Sequence, residues 1–160
     1  SAAGLQAAHF EALQSAGGFV HGGTYSHHPV AAAVGLATIK ILEQENLIER
    51  ADRIGKVLGG KLKNKLSGLP HVADVRGLGM FWGVELVKDK DTLRPFPREA
   101  QMAERIWQSV FDKGVIVYKA FGLAGSEGDA IMIAPAFTIM DKDIDFLVDS
   151  LAQGIAETVA

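Results

Sequence analysis

The chain has 160 residues, 48% of them hydrophobic, and its 16 Lys and Arg against 19 Asp and Glu leave a formal charge of −3. That is enough for one packed core, and the mildly acidic balance gives no electrostatic footing for nucleic acid or an anionic membrane. There is no cysteine for disulfides or thiolate metal sites, no apolar run near the roughly 20 residues that span a bilayer, and no basic-then-apolar leader at Ser1-Ala2-Ala3-Gly4, so a soluble, cytoplasmic protein is expected.

In chain order, residues 2–16 form a moderately apolar segment that reads as a helix. Next comes HGGTYSHHPVAAAVG, residues 21–35. Pro29 suits the first turn of a helix, and Val30, Val34, Ala37 and Ile41 follow at spacings of four, three and four, which predicts a buried stripe. Two readings of the loop before it stand side by side. Gly22 and Gly23 let backbone N–H groups point into a concavity, Thr24 and Ser26 carry hydroxyls, and a helix N-terminus adds about half a positive charge, all of which suit a phosphate. Alternatively, Ser26 and His28 cap the helix while the glycines turn the chain. His21, His27 and His28 have no carboxylate cluster beside them and lack the spacing of a three-ligand site, so no metal is expected.

A second helix carries Leu47, Ala51, Ile54, Leu58 and Leu62 on one face with Lys and Arg opposite. Gly59 and Gly60 weaken it by about 1 kcal/mol each relative to alanine, and Gly68 and Pro70 stop it. Lys61, Lys63 and Lys65 read as a solvated helix face. Residues 72–87, VADVRGLGMFWGVELV, predict two short strands around Gly77-Leu78-Gly79, the second so apolar that burial on both its faces is expected. Residues 88–97 form an exposed loop, residues 99–113 a helix ended by Gly114, residues 115–118 a strand, residues 121–129 a glycine-punctuated loop and residues 130–134 another strand closed by Pro135. Asp141 is placed to cap a last helix whose stripe is Ile144, Leu147, Leu151 and Ile155. Helices stacked on one face of a small sheet, an α/β sandwich, fit this order. No serine stands in a G-x-S-x-G elbow, so a hydrolase triad finds no support.

Three segments carry more than periodicity: HGGTYSHHPVAAAVGLATIKILEQENL, VADVRGLGMFWGVELVKDKDT and GDAIMIAPAFTIMDKDIDFLVDSL. In order and spacing they resemble the C-terminal part of the class III aminotransferases, the fold-type I enzymes that use pyridoxal phosphate (PLP) and include the ω-amino acid:pyruvate and 4-aminobutyrate types. The resemblance implies that residues 1–45 are the end of the large PLP-binding domain, with the phosphate loop and a linking helix. Residues 46–160 are then the C-terminal small domain, with helices packed on a small, mainly antiparallel sheet. It implies an enzyme that moves an amino group from an amine or ω-amino acid donor to a keto acid such as pyruvate or 2-oxoglutarate. Aminomutase, racemase or decarboxylase chemistry on the same scaffold, or a non-catalytic binding or assembly module, are the alternatives.

By the same resemblance, Thr24, flanked by Gly23 and Tyr25, reaches across a homodimer to the PLP phosphate of the neighbouring subunit. Arg76, in R-G-L-G, is structural and anchors the turn between strands. Ala134-Pro135-Ala136 stands for the family's A-P-P run. Relatives often carry glycine where this chain has His27, and some place a substrate-gripping arginine after residues 115–118, where the nearest candidates here are Tyr118 and Lys119. A lysine offers a point charge rather than a bidentate fork, so substrate preference does not carry over. The lysine that holds PLP lies, in the family, upstream of the threonine loop, and none of the ten lysines here replaces it. No catalytic residue is therefore expected in this chain, which by itself should be inactive.

Overall fold

A computed structural model describes residues 6–18 and 22–159, which leaves His21 outside the described residues. The chain divides into two compact units, Ser1–Glu45 and Asn46–Ala160. The first unit holds α1 (Ala7–Ser15) and α2 (Pro29–Gln44), and proline at the first position of α2 gives up an N–H that has no intrahelical partner. The predicted stripe of α2 is helical but not buried: Val30, Val34 and Ile41 are exposed, and α2 has no buried residue. Spacing reports which residues share a face and says nothing of what covers it.

The second unit begins with α3 (Leu47–Leu66), whose Leu47, Ala51, Ile54, Leu58 and Leu62 are buried as their spacing requires. Its lysine face is paired: Lys61 with Asp145, Lys65 with Asp149 at 2.8 Å, while the Lys63 ammonium lies 5.4 Å from the Trp82 ring centroid. Next come β1 (Val72–Leu78) and β2 (Phe81–Leu86), a 3-10 turn (Arg98–Ala100), α4 (Met102–Asp112), β3 (Tyr118–Ala124), β4 (Glu127–Ile133) and α5 (Asp141–Val159). The strands form one antiparallel sheet in the order β1-β2-β4-β3. Val75, Trp82, Val84, Leu86, Ile131 and Ile133 on one face join the apolar stripes of α3, α4 and α5 in a single core. The stripe of α5, Ile144, Leu147, Leu151 and Ile155, is buried as predicted.

Five predictions for this unit are corrected. β2 is not buried on both faces: it alternates, with Phe81 56% exposed and Trp82, Val84 and Leu86 buried, because helices cover only one side of the sheet. Val115 and Val117 are buried, but the strand expected at residues 115–118 starts only at Tyr118, where the ladder with Met132 of β4 begins. The loop expected at residues 121–129 is mostly a hairpin. Gly122, at φ +73°, sits in the register shift of β3, and Gly125, at φ +70°, makes the turn between Ala124 and Glu127. The helix expected from residue 99 is split, with Gln101 in the left-handed region separating the 3-10 turn from α4. Asp141 lies in the first turn of α5, where its charge favours the helix dipole, one position inside its expected cap.

Candidate functional site

Two places carry the residues singled out by sequence, one in each unit. In the first unit, residues 22–28 fold into consecutive turns. The Gly23 N–H donates to Ser26 Oγ at 3.1 Å, the Ser26 N–H to the Gly23 carbonyl at 2.9 Å, and the His28 N–H to the Tyr25 carbonyl at 3.2 Å. Thr24 is exposed at the crest of this turn, and Tyr25 is 79% exposed with its ring edge-on to His28, 6.2 Å between centroids. The Ser26 hydroxyl is thus committed to the loop, and His28, at the N-cap of α2, makes no side-chain cap. This overturns the capping alternative. The positive end of α2 faces the turn with no side-chain cap, the arrangement in which helix N-termini favour anions.

His27 has φ +59°. In that left-handed region a Cβ costs roughly 1–2 kcal/mol and glycine costs nothing, which gives a physical reason for glycine at this place in the resembling family. Histidine is among the side chains found there more often than most.

In the second unit, the strand register sets Arg76, Gly83, Met132 and Tyr118 in one row across the face of the sheet opposite the helices. Side chains alternate along a strand, so the neighbours Tyr118 and Lys119 point to opposite faces. Tyr118, 65% exposed, lies on the Arg76 face, while the Lys119 ammonium lies 4.9 Å from the Trp107 ring centroid, against α4. The structure therefore separates the two carboxylate-gripping candidates. Arg76 links strands rather than the turn: its Nη1 donates to Asp74 Oδ2 at 2.8 Å and to Glu85 Oε2 at 2.5 Å. These two carboxylates, Asp74 first, raise the pKa of the guanidinium further. A groove of about 600 Å³ opens on this face beside Arg76, walled by Leu78, Phe81, Leu123 and Met132.

Sequence reasoning missed a polar cluster built on a buried aspartate, with half-buried Arg98 and Glu104 beside it. Gln101, at the N-cap of α4, makes no side-chain cap, and the cap comes instead from β4, where Asp129, 2% exposed, accepts the Ala103 N–H at 3.1 Å. Burial raises the Asp129 carboxyl above its ordinary range, against the hydrogen bond from Ala103. Arg98 donates through both terminal nitrogens to Glu104, lies 4.2 Å from the Phe121 ring centroid and holds the Glu104 carboxyl below its ordinary range. The signal available in sequence was the lone aspartate in the apolar run GDAIMI. Arg50 was missed too. Its Nε donates to the Phe137 carbonyl at 2.8 Å and its Nη2 to the Ile139 carbonyl at 2.7 Å, fastening the segment after Ala134-Pro135-Ala136 to α3. Among the described residues, no group of three His, Asp or Glu is placed to hold a metal, and no helix is long and apolar enough to cross a membrane.

The family model described as aminotransferase class-III matches residues 1–155. The chain is 40% identical over 138 residues to an uncharacterized aminotransferase of Schizosaccharomyces pombe, which covers 86% of this chain and 30% of that protein. It is 36% identical over 137 residues to the adenosylmethionine-8-amino-7-oxononanoate aminotransferase of Methanocaldococcus jannaschii, covering 86% of the chain and 28% of that protein. Among solved structures, a thermostable (S)-enantioselective omega-transaminase from Thermomicrobium roseum superposes with a TM-score of 0.77 at 35% identity, over 89% of this chain and 30% of that one. An aminotransferase of Bacillus anthracis gives 0.82 at 28% identity, over 96% and 34%. The chain thus spans about 30% of the length of the curated relatives it matches.

Proposed function

Because this chain belongs to the class III aminotransferases, we propose that it forms the end of the PLP-binding domain and the small C-terminal domain of an enzyme that transfers an amino group from an amine or ω-amino acid to a keto acid. The observation that carries the cofactor reading is the turn at residues 22–28. Its donors fit a phosphate: an exposed threonine hydroxyl at the crest of a turn and a helix N-terminus with no side-chain cap beyond it. In this reading Thr24 holds the phosphate, with Gly23 and Tyr25 at its sides. PLP, when bound, supplies the carbonyl group and electron sink through which amino groups are exchanged.

What the chain's own residues do is narrower. Thr24 donates a hydrogen bond to an anionic oxygen, the Gly23–Ser26 hydrogen bonds fix the turn that presents it, and Arg50 fastens the segment that follows β4. Four of the ten lysines are held in ion pairs: Lys56 with Asp52, Lys61 with Asp145, Lys65 with Asp149 and Lys113 with Glu157. This supports a reading in which the lysine that takes up PLP belongs to another part of the enzyme. A homodimer is supported by α2, which leaves Val30, Val34, Leu36, Ile39 and Ile41 exposed and has no buried residue, since a helix with that much apolar surface is covered in its working assembly.

The test is made on the full-length enzyme. With PLP, an amine donor and pyruvate it should give alanine, and Thr24→Ala should raise the PLP dissociation constant about 10-fold or more, the equivalent of one charge-assisted hydrogen bond. Unchanged cofactor affinity in the variant would remove Thr24 from the phosphate site. Turnover by the 160-residue chain alone would refute the assignment of the cofactor lysine elsewhere.

A further inference from the structure

The charges at the start of α4 do not balance. Glu104 and Asp129 are two carboxylates with one guanidinium, Arg98, between them. Arg98 donates through Nη1 to Glu104 Oε2 at 3.1 Å and through Nη2 to Glu104 Oε1, while the same Nη1 lies 4.0 Å from Asp129 Oδ1. Asp129 accepts the Ala103 N–H instead. Its side chain is 3% exposed against 21% for Glu104, so the better hydrated carboxylate holds the cation. That arrangement suits a neutral Asp129. An ionised carboxylate at such depth needs a paired charge, and Arg98 stands at the outer limit of an ion pair with it.

The surroundings permit the exchange. Arg98 Cζ lies 4.2 Å from the Phe121 ring centroid, and Phe121 pairs with Asp129 across β3 and β4, which sets ring and carboxylate side by side on one face of the sheet. A ring face attracts a cation wherever it lies over it, so the guanidinium can turn from one carboxylate to the other without leaving the ring. Of the other charges nearby, Glu99 adds a negative one beside Arg98, and Lys119 on β3 leaves Glu104 with a positive neighbour when Arg98 departs. From β2 the residue paired with Asp129 is the apolar Leu86. Burial raises the Asp129 carboxyl and Arg98 lowers that of Glu104, which opens a pH interval where Glu104 is ionised and Asp129 is not.

We propose that Arg98 is a two-position, pH-driven latch: it grips Glu104 while Asp129 is protonated and crosses to Asp129 when that carboxyl ionises. In the first state the turn Arg98–Ala100 is tied to α4, and in the second it is tied to β4. The proton leaves Asp129 for solvent, and the bond from the Ala103 N–H becomes charge-assisted. The latch thus changes which element holds the segment entering α4.

The 160-residue chain, with its arginine nitrogens and aspartate carboxyl carbons labelled, can be titrated by NMR above the ordinary glutamate range, from about pH 5 to 9. The Arg98 Nε–H signal should shift in one step that shares its midpoint with the Asp129 carboxyl, and Asp129→Asn should abolish the step. Glu104→Gln, which removes the competing carboxylate, should bring Arg98 to Asp129 from the start and shrink the step. An Arg98 signal that is flat in the wild type, or a step that survives Asp129→Asn, overturns the latch. Crystals of the wild-type chain at the two ends of the titration decide the matter without a variant. Arg98 Nη1 should stand within hydrogen-bond distance of Asp129 at high pH and be forked on Glu104 at low pH. The same Glu104 fork in both crystals would mean that Arg98 senses the charge of Asp129 without moving, and the latch would be refuted.

Discussion

Gly59 and Gly60 are neighbours in α3, and replacing each by alanine should move stability in opposite directions. In a helix interior either substitution gains about 1 kcal/mol of propensity. At Gly60, which is exposed, a Cβ meets nothing within 4 Å, so the whole gain appears. At Gly59 a Cβ would stand 2.0 Å from Trp82 Cζ2 and 2.2 Å from Cη2. The indole has little freedom to withdraw: Trp82 is buried, its Nε1 donates to the Gly79 carbonyl at 2.8 Å, and the Lys63 ammonium covers its ring. Overpacking of this kind costs 1–3 kcal/mol, and with a fixed aromatic in the way the upper figure applies. Set against the propensity gain, that leaves Gly59→Ala destabilised by about 2 kcal/mol and places the two variants about 3 kcal/mol apart. Thermal unfolding followed by circular dichroism reads this directly. For a chain of this size Gly60→Ala should raise Tm by about 2–4 °C and Gly59→Ala lower it by about 4–8 °C. Trp82→Leu should reduce the penalty at Gly59 in a double-mutant cycle. If Gly59→Ala stabilises as much as Gly60→Ala, the helix does not approach the sheet as described, and the reasoning fails.

Arg50→Ala removes both charged hydrogen bonds to the Phe137 and Ile139 carbonyls and should cost about 2 kcal/mol in urea unfolding, with faster amide exchange confined to residues 137–143. Arg50→Lys should not fully restore it, because an ammonium is a single point and lacks the fixed planar spacing by which Nε and Nη2 reach the two carbonyls at once. Stability should also depend on pH with two opposed contributions. Glu104, held low chiefly by Arg98, and Glu157, held low chiefly by Lys113, have folded pKa values below their unfolded ones. Their stabilisation is present above the ordinary glutamate range and is lost as pH falls through the folded values, so Glu104→Gln should flatten the acid limb of urea midpoints between pH 3 and 8. Asp129 runs the other way: burial raises its folded pKa, so its contribution is greatest while protonated and is lost as pH rises through that value. Asp129→Asn, which keeps an acceptor for the Ala103 N–H, should therefore gain on the wild type as pH rises, and a difference that is flat or falls with pH would refute this.

Much of the architecture follows from local patterns. The stripes of α3 and α5 are dense enough to fix both the helix and its buried face, Pro29 marks the start of α2, and the glycines at 77 and 79 sit at the turn end of the first hairpin. The resemblance to an aminotransferase rested on three segments whose order survives in sequence, and the family match bears it out. Tertiary structure decided what periodicity leaves open. Spacing places Val30, Val34 and Ile41 on one face of α2 but supplies nothing to cover it, and the apolar run of β2 is covered on one side only. Adjacent candidates such as Tyr118 and Lys119 are equivalent in sequence until the ladder with β4 assigns each to a face. The Asp129 cap on α4, the Arg50 clamp and the difference between Gly59 and Gly60 join residues far apart in the chain. Local sequence carries the propensities of single elements, but a hydrogen bond or a close contact between elements exists only once packing has brought both partners to the same place.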